Sequence, residues 1–240
     1  MLEGVVNNNL EKLIECDYPG RGIALGLTPS GEELVQIFWT MGRSQNSKNR
    51  IMIKDGETVK TLPFDRSLEL QHEDLIIYNV SAQSEKYHII TNGRQTDTIV
   101  DFLIHGNSFE NALYLWGFEG DEPIYTARIS GLSIVDGTKI GYKLSIIKAI
   151  DQNPDLLSHQ FFNYQTAIPG YGHCIHTYSL IQTCVPFTGE PYWVRFFDDI
   201  DEGAAFYWSI LPDDKRVALY IKHVNITNGD IKDRILSIHK

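Results

Sequence analysis

Short segments rich in apolar and β-branched residues dominate the first part of the chain and predict β-strands there. The predicted strands are residues 23–27, 34–41, 50–54, 75–80 and 87–91. Residues 34–41 (LVQIFWTM) are apolar on both alternating faces, so this strand requires cover on both sides of its sheet. The last segment ends at Asn92-Gly93, which is a turn signal.

The hydrophobic period changes after residue 95. From residue 96 to 116, apolar residues recur every three or four positions, which is the spacing of one face of an α-helix. Gly106 interrupts this stretch and predicts two helices, and Ser108 can cap the second. Residues 199–211 show the same spacing and predict a third helix.

Further strands are predicted at 124–134 and 139–150, joined through the turn at Asp136-Gly137, and at 217–226. Runs of strands separated from runs of helices predict an α+β fold, because a parallel βαβ fold would alternate the two. No linker rich in proline or glycine divides the chain. We therefore expect one domain over residues 1–240.

Composition narrows the function classes. The 240 residues carry a net charge of −10, which disfavours binding to the phosphate backbone of nucleic acids. Three cysteines without a Cys-x-x-Cys pair predict neither a disulfide framework nor a zinc site. The start of the chain lacks a secretory signal, and no apolar run is long enough for a membrane span. These features predict a cytoplasmic protein that binds neither membrane nor nucleic acid.

The segment GRSQNSKNR, residues 42–50, is the strongest candidate binding site. It follows a buried strand and carries three cations and no acid, which is unusual in an acidic chain. Arg43 and Arg50 can bind phosphate oxygens in a bidentate manner, and Lys48 can act as a point charge. Its neutral donors are Ser44, Ser47, Asn46 and Asn49. We interpret the segment as an anion site in preference to a solvated loop.

Two other segments contribute arginines. YPGRG, residues 18–22, places Arg21 between glycines that let the backbone approach a ligand, although an ordinary loop has the same composition. In the predicted strand 124–134, Tyr125, Ala127 and Ile129 share a face that we assign to the core. Thr126 and Arg128 then form the pair that meets either a ligand or solvent.

The segment GYGHCIHTY, residues 170–178, contains two histidines three positions apart. In a strand, His173 and His176 fall on opposite faces, whereas His176 and Tyr178 share one. This arrangement argues against a His-Cys-His metal site. One histidine is expected to face a functional site, and a structural role for His173 is equally consistent with the pattern.

Together these segments resemble the single-function (archaeal-type) IMP cyclohydrolases. The matching stretches are YPGRG (18–22), MGRSQNSKNR (41–50), IIYN (76–79), TNGRQTDTI (91–99), YTARISG (125–131) and GHCIHTY (172–178). They keep the order of the family, and the run from Gly42 to Arg50 is the most specific of them. Gln45 and Lys48 depart from the family pattern, in which acidic and arginine residues are frequent there. Residues 225–240 match nothing in it.

The resemblance implies a fold and a reaction. The fold is that of the N-terminal-nucleophile hydrolases, a four-layer αββα sandwich. The reaction closes 5-formamidoimidazole-4-carboxamide ribonucleotide to IMP and water, without metal or organic cofactor. For catalysis we select His176, Tyr178, Arg128 and Arg21. For binding of the ribonucleotide we select Arg43, Ser44, Asn46, Lys48, Asn49, Arg50, Asn79, Thr126 and His173.

Two other functions are compatible with the sequence. Cleavage after Glu15 would expose Cys16 as the nucleophile of an amidohydrolase, with its own amine as base, although a buried thiol is the simpler interpretation. Alternatively, the chain is a nucleotide-binding relative without turnover. The sequence does not separate this relative from an active enzyme, because both would keep the phosphate-binding residues. The sequence also leaves homo-oligomerisation open.

Overall fold

Antiparallel strands make up most of the molecule. The structure, a computed structural model, describes residues 2–69, 73–137, 139–180 and 184–239. Within these ranges, the strands are β1 (Gly22–Leu27), β2 (Glu33–Met41), β3 (Ile51–Asp55), β4 (Thr58–Leu62), β5 (Tyr78–Ser84), β6 (Tyr87–Thr91), β7 (Arg128–Asp136), β8 (Lys139–Ile150), β9 (Asn153–Tyr164), β10 (Tyr171–His176), β11 (Tyr192–Arg195), β12 (Arg216–Asn225) and β13 (Ile231–Ser237). The helices are α1 (Leu2–Glu15), α2 (Gln45–Lys48), α3 (Gln95–Ile104), α4 (Phe109–Leu113) and α5 (Ile200–Ser209).

The strands form two antiparallel sheets. The first sheet has the order β11-β10-β1-β2-β12-β13, and the second has the order β3-β4-β5-β6-β7-β8-β9. β1 lies between β10 and β2, with Ala24 opposite Cys174 on one side and Ile37 on the other. In the second sheet, each strand pairs with its neighbour in the sequence. This sheet is therefore a meander, whereas the first sheet brings together strands that are distant along the chain.

The two sheets pack face to face over a common core. Ile23, Leu25 and Phe38 of the first sheet belong to the same buried cluster as Ile90 and Ile146 of the second. The sheets approach closely where β1 crosses β7. A Cβ added to Gly131 on β7 would lie 2.9 Å from a methyl group of Leu25. Glycine at this position therefore permits the close packing of the two sheets.

Helices cover the outer faces of both sheets. One outer cluster joins α1 and α5 to the first sheet, with Leu10 and Tyr207 packed beside Trp39. The other joins α3 and α4 to the second sheet through Ile99 and Phe109. The layer order is helix, sheet, sheet, helix. This layering agrees with the predicted α+β class and with the prediction that β2 is covered on both faces.

Two of the predicted strands have different boundaries. The strand predicted at 124–134 begins only at Arg128, because Tyr125 adopts a positive φ of 50° and breaks the extended conformation. The strand predicted at 75–80 begins at Tyr78, after a 3₁₀ turn over Glu73–Leu75. The boundary between α3 and α4 at Gly106 and the cap at Ser108 are confirmed.

Several elements have no counterpart among the predicted ones. They are α1, α2, β4, β9, β11 and β13. β13 lies in the stretch 225–240, which matches nothing in the family pattern, and it pairs with β12 along its length. β9 is exposed over its first half, so the apolar alternation that identifies a strand is weak there. No helix within the described ranges is long and apolar enough to cross a membrane.

A buried lysine lies in the core between the two sheets. Lys222 on β12 is only 2% exposed, and its Nζ atom lies 3.5 Å from Ser81 Oγ and 3.4 Å from His88 Nδ1. Burial lowers the pKa of Lys222 from 10.5 to about 7. Burial likewise lowers the pKa of His88 to about 3, so this histidine stays neutral and can accept a hydrogen bond from the amine.

The pKa of Lys222 predicts a pH-dependent stability. Between pH 7 and 10.5, the unfolded chain binds a proton at this residue that the folded chain does not bind. Protonation therefore favours unfolding, and stability should rise with pH. Urea unfolding between about pH 7 and pH 9 should show the wild type gaining up to roughly 1.4 kcal/mol per pH unit relative to Lys222→Met.

The matched control is Lys86→Met. Lys86 is partly exposed and pairs with Asp136 at 2.7 Å, and it is not among the charges that shift the pKa of Lys222, so removing it should leave the pH slope of the wild type unchanged. Equal pH slopes for the wild type and Lys222→Met would show that Lys222 does not titrate in the folded protein.

Candidate active site

A cavity of about 420 Å³ opens at one end of the two sheets, beside the ends of strands from both. β2 and β10 end there, while β1, β3 and β7 begin there, because antiparallel neighbours bring their opposite ends to the same side of a sheet. Its lining includes Tyr18, Arg21, Arg43, Ser44, Ser47, Arg50, Glu119, Asp121, Thr126 and Tyr178. The volume falls within the range of roughly 300–1,000 Å³ that is usual for small-molecule sites.

A buried ion pair forms one wall of the cavity. The two terminal nitrogens of Arg21 donate to the two carboxylate oxygens of Glu119 at 2.8 and 2.6 Å. Arg21 also donates to the carbonyl oxygen of Asn92 at 3.3 Å. Burial by itself lowers the pKa of Arg21, but the Glu119 carboxylate outweighs this effect and raises it above its usual value. The pair therefore holds the guanidinium in a fixed orientation at the cavity.

Arg50 provides a second buried guanidinium, and no acid among the described residues forms an ion pair with it. It is 8% exposed, and within the described ranges its side chain has neither an ion pair nor a hydrogen-bond partner at Nε. Burial lowers the pKa of Arg50, and the nearby Arg21 lowers it further. The hydroxyl of Tyr78 is also buried without a hydrogen-bond partner among the described residues, but Tyr78 does not line the cavity. The Arg50 guanidinium, buried at the cavity without an ion pair, indicates a site for an anionic ligand.

The basic segment 42–50 splits into two parts with different orientations. Arg43 and Ser44 line the cavity, and the Arg43 guanidinium lies 4.8 Å from the centre of the Tyr18 ring. Lys48 turns away and donates to the carbonyl oxygen of Asp214 at 2.6 Å. The predicted phosphate-binding role of Lys48 is therefore wrong for this cavity, because its amine is held at another surface.

Asn49 and Asn46 also lie outside the lining of the cavity. The Asn49 side-chain amide makes a reciprocal pair with the backbone of Asp65 at 2.9 and 2.7 Å, so its polar atoms are already engaged. This contact fixes the end of the basic segment. The structure thus assigns Asn49 a structural contact where we predicted ligand binding, and it does not bring Asn46 to the cavity.

A chain of hydrogen bonds leads from the cavity to a carboxylate. The hydroxyl of Thr126 donates to Asp121 Oδ2 at 2.5 Å, and the Thr126 backbone amide donates to Oδ1 at 2.7 Å. The Tyr178 hydroxyl lies 2.7 Å from Thr126 Oγ1. Because Thr126 has one hydroxyl proton and gives it to Asp121, Tyr178 donates to Thr126. The Tyr178 oxygen then keeps its lone pairs for a ligand.

The two histidines are buried away from the cavity lining. His176 is fully buried, and its Nδ1 atom bonds to the carbonyl oxygen of Tyr178 while its ring packs against Phe187. His173 bonds to the Tyr142 hydroxyl at 2.6 Å and stacks on Tyr164. Burial lowers the pKa of each histidine to about 4. The structure therefore brings Tyr178, and neither histidine, to the site.

Arg128 and Asn79 lie outside the lining of the cavity. Arg128 is buried, 3.9 Å from the Glu119 carboxylate and 4.9 Å from the Trp116 ring centre. Burial lowers the pKa of Arg128, and Glu119 opposes that effect. Asn79 binds the Asp97 carboxylate at 2.7 Å in a separate surface cleft. Neither side chain lines the cavity. Arg128 is linked to it through Glu119, and Asn79 has no contact with it.

The core face proposed for residues 125, 127 and 129 is partly correct. Ala127 and Ile129 are fully buried in the core between the sheets. Tyr125 instead packs on Phe118 outside that core, because its positive φ takes it out of the strand. Thr126 is 1% exposed and lines the cavity.

The acidic residues of the site were missed by sequence reasoning. Glu119 and Asp121 lie in a stretch, EGDEP, that resembles any exposed acidic loop. Glu119 is only 2% exposed, and it is the one acid in ion-pair contact with Arg21 among the described residues. The only hint in the sequence that Glu119 belongs to the site is that it lies close to the segment YTARISG, which contains Thr126 and Arg128.

Cys16 does not have the environment of an activated nucleophile. It is 6% exposed, just after α1, and it does not line the cavity. Burial raises the pKa of its thiol, which disfavours the thiolate. Within the described residues, no group of three histidine, cysteine, aspartate or glutamate side chains could hold a metal ion.

Comparison with known proteins identifies the family of the chain. A family model described as "IMP cyclohydrolase-like protein" matches residues 18–231. The match covers every residue named above as lining the cavity, and it leaves out α1 and all of β13 except its first residue. A search of curated proteins found no match to the chain.

Proposed function

The chain belongs to the IMP cyclohydrolase-like family, and we propose that it catalyses the closure of 5-formamidoimidazole-4-carboxamide ribonucleotide to IMP with loss of water. The observation that carries the proposal is the unpaired buried guanidinium of Arg50 beside the Arg21–Glu119 pair in one cavity. The phosphate of a ribonucleotide would supply an anionic partner for Arg50, which has no ion pair within the described ranges. The proposal also holds that the chain is a single cytoplasmic domain with the layer order of the N-terminal-nucleophile hydrolases.

The phosphate is assigned to the arginine-rich side of the cavity. Arg50 is buried and Arg43 lies at the mouth, so the two guanidiniums can bind different oxygens of one phosphate. Ser44 and Ser47 add hydroxyl groups on the same side, although their hydroxyls also bond to each other at 3.1 Å. This arrangement leaves the imidazole end of the substrate near Tyr178 and Arg21.

Two chemical tasks follow from the reaction. The carboxamide nitrogen attacks the formyl carbon, loses a proton, and the resulting carbinolamine loses water. We assign proton acceptance to the Tyr178 oxygen, whose own proton moves through Thr126 to Asp121. The reverse transfer along the same chain returns the proton to the hydroxyl formed from the formyl oxygen, which then leaves as water. We assign stabilisation of the formyl oxygen to Arg21, which Glu119 orients. Alignment of two groups within one substrate can itself supply roughly 7–11 kcal/mol.

The proposed function is tested by following the conversion of the formamido ribonucleotide to IMP by ultraviolet absorbance. The variant is Arg43→Ala. The matched control is Arg234→Ala, because Arg234 is an exposed arginine that pairs with Asp201 and does not line the cavity. We expect turnover that Arg43→Ala abolishes and Arg234→Ala preserves. IMP binding without turnover would support a nucleotide-binding relative, and neither binding nor turnover would overturn the proposal.

Arg50→Met gives a second, sharper prediction. Loss of a charge-assisted contact of about 1.5–3 kcal/mol should weaken IMP binding by roughly 10–100-fold. The same substitution removes an unpaired buried charge, so the ligand-free protein should be at least as stable as the wild type. Calorimetric titration with IMP and urea unfolding measure the two effects. A variant that is destabilised and binds IMP normally would show that Arg50 has a structural role.

A further inference from the structure

Tyr18 lies at the start of the segment YPGRG, in the connection between α1 and β1. Its side chain is 7% exposed and lines the candidate active site. Its hydroxyl donates to the carbonyl oxygen of Met41, the last residue of β2, at 3.4 Å. The reaction steps assigned above do not involve this residue, but its contacts join the two sides of the cavity.

The first contact of Tyr18 is with the side of the cavity assigned to the phosphate. The Arg43 guanidinium lies 4.8 Å from the centre of the Tyr18 ring, within the range of a cation–π interaction. No carboxylate among the described residues forms an ion pair with Arg43, although the thiol of Cys184 contacts its guanidinium. An arginine at the mouth of a cavity loses rotamer entropy when it binds a phosphate. A ring that already holds the guanidinium reduces that cost.

The second contact is with the side of the cavity assigned to proton transfer. The rings of Tyr18 and Tyr178 are stacked, with centres 5.7 Å apart and an angle of 29° between their planes. The backbone supports this arrangement, because the Tyr178 amide donates to the carbonyl oxygen of Pro19 at 3.2 Å. Gly20 has a φ of 77°, and a Cβ there would lie 2.7 Å from the Tyr178 ring. Glycine at this position therefore leaves room for that ring beside the segment YPGRG.

We propose that Tyr18 is a positioning residue for both the binding and the chemical steps of the proposed reaction. Its ring holds Arg43 where the phosphate binds and Tyr178 where the proton is accepted, and it thereby fixes the distance between the two ends of the substrate. The ring matters for this role and the hydroxyl does not, because the hydroxyl is bonded to the backbone at Met41. The inference rests on the proposed function.

The substitution Tyr18→Leu removes both ring contacts. It is expected to weaken IMP binding by roughly 2–30-fold and to lower kcat by roughly 2–10-fold. Calorimetric titration with IMP and steady-state kinetics with the formamido ribonucleotide measure the two effects. Tyr18→Phe keeps the ring and should restore most of both. Normal affinity and kcat in Tyr18→Leu, or no rescue in Tyr18→Phe, would overturn the proposal.

The matched control is Tyr207→Leu. Tyr207 is fully buried in the same cluster as Tyr18, its ring stacks on Phe196 at 6.3 Å, and its hydroxyl donates to the Arg195 carbonyl oxygen. It does not line the cavity, so its loss should reduce stability and preserve IMP affinity and kcat. Equal losses of affinity and kcat in the two leucine variants would show that Tyr18 acts only through the stability of the fold. A wild type that neither binds IMP nor turns over the formamido ribonucleotide would overturn the proposed function, and this inference with it.

Double variants distinguish positioning from a general structural role. In the Arg43→Ala background, Tyr18→Leu should weaken IMP binding no further, because the cation that the ring holds is absent. In the Tyr178→Phe background, Tyr18→Leu should lower kcat no further, because the hydroxyl that it positions is absent. Additive losses in both backgrounds would contradict the proposal.

A series of ring analogues keeps the proposal testable if Tyr18→Leu does not fold. Tyr18→Phe is compared with proteins that carry mono- or trifluorophenylalanine at position 18. Fluorine nearly preserves the shape of the ring but withdraws the negative charge of the face that attracts a cation. IMP affinity should fall stepwise along the series, whereas constant affinity would overturn the assigned contact with Arg43.

Discussion

Replacement of Glu119 by glutamine is expected to lower the free energy of unfolding by about 3–5 kcal/mol, because it leaves a buried guanidinium without its counter-charge. The carboxylate is 2% exposed and binds both terminal nitrogens of Arg21, while Arg128 lies 3.9 Å away. Two positive charges would then share one buried region with no acid between them. Turnover should fall as well, because Arg21 loses the contact that orients it.

Urea unfolding of Glu119→Gln beside Glu110→Gln measures this effect. Glu110 also pairs with a cation, Lys143, at 2.6 Å, but both side chains are more than 20% exposed. Such a pair contributes about 0–1 kcal/mol, so Glu110→Gln should change stability little. The double variant Arg21→Met/Glu119→Leu removes both charges and should recover much of the loss. Equal effects of the two single substitutions would show that the Glu119 pair is unimportant for stability.

Tyr178→Phe is expected to reduce kcat by about 10²–10⁴-fold with little change in KM, the range for loss of a general acid–base group. The substitution removes the hydroxyl that begins the hydrogen-bond chain through Thr126 to Asp121. Burial raises the pKa of Tyr178, so its oxygen gives up its own proton only as it accepts another. Steady-state kinetics with the formamido ribonucleotide measure the change.

Thr126→Val breaks the same chain one step later. Its effect on kcat should be similar, and the double variant should be little worse than either single one, since the two hydroxyls act as a unit. The control is Tyr207→Phe, which removes a buried hydroxyl bonded to the Arg195 carbonyl outside the cavity and should preserve kcat. Additive losses in the double variant would mean that Tyr178 and Thr126 act separately.

The candidate site illustrates what a local sequence pattern can predict. The basic segment was recognised because three cations in nine residues are conspicuous in a chain of net charge −10. The pattern could not separate Arg43 and Arg50, which line the cavity, from Lys48 and Asn49, which do not. That separation depends on partners at Asp214 and Asp65, which belong to other parts of the chain.

The histidines show the same limit. Alternation along a strand places His173 and His176 on opposite faces, and from it we expected one of them to face a functional site. Neither does, because the cavity begins where β10 ends and only the residues that follow it reach the opening. The end of a strand depends on its pairing in the sheet, and periodicity alone locates it poorly.

The sequence by itself determined the class of fold, the two-sided cover of β2, the helical pair and the family, because each rests on residues close together in the chain. Tertiary structure alone decided which charges meet. Arg21 and Glu119 are 98 positions apart, and Tyr178 and Thr126 are 52 apart. Local periodicity fixes the direction of a side chain relative to its own strand. Strand order and register decide what it faces, and the burial that makes an ion pair matter exists only once both sheets have assembled.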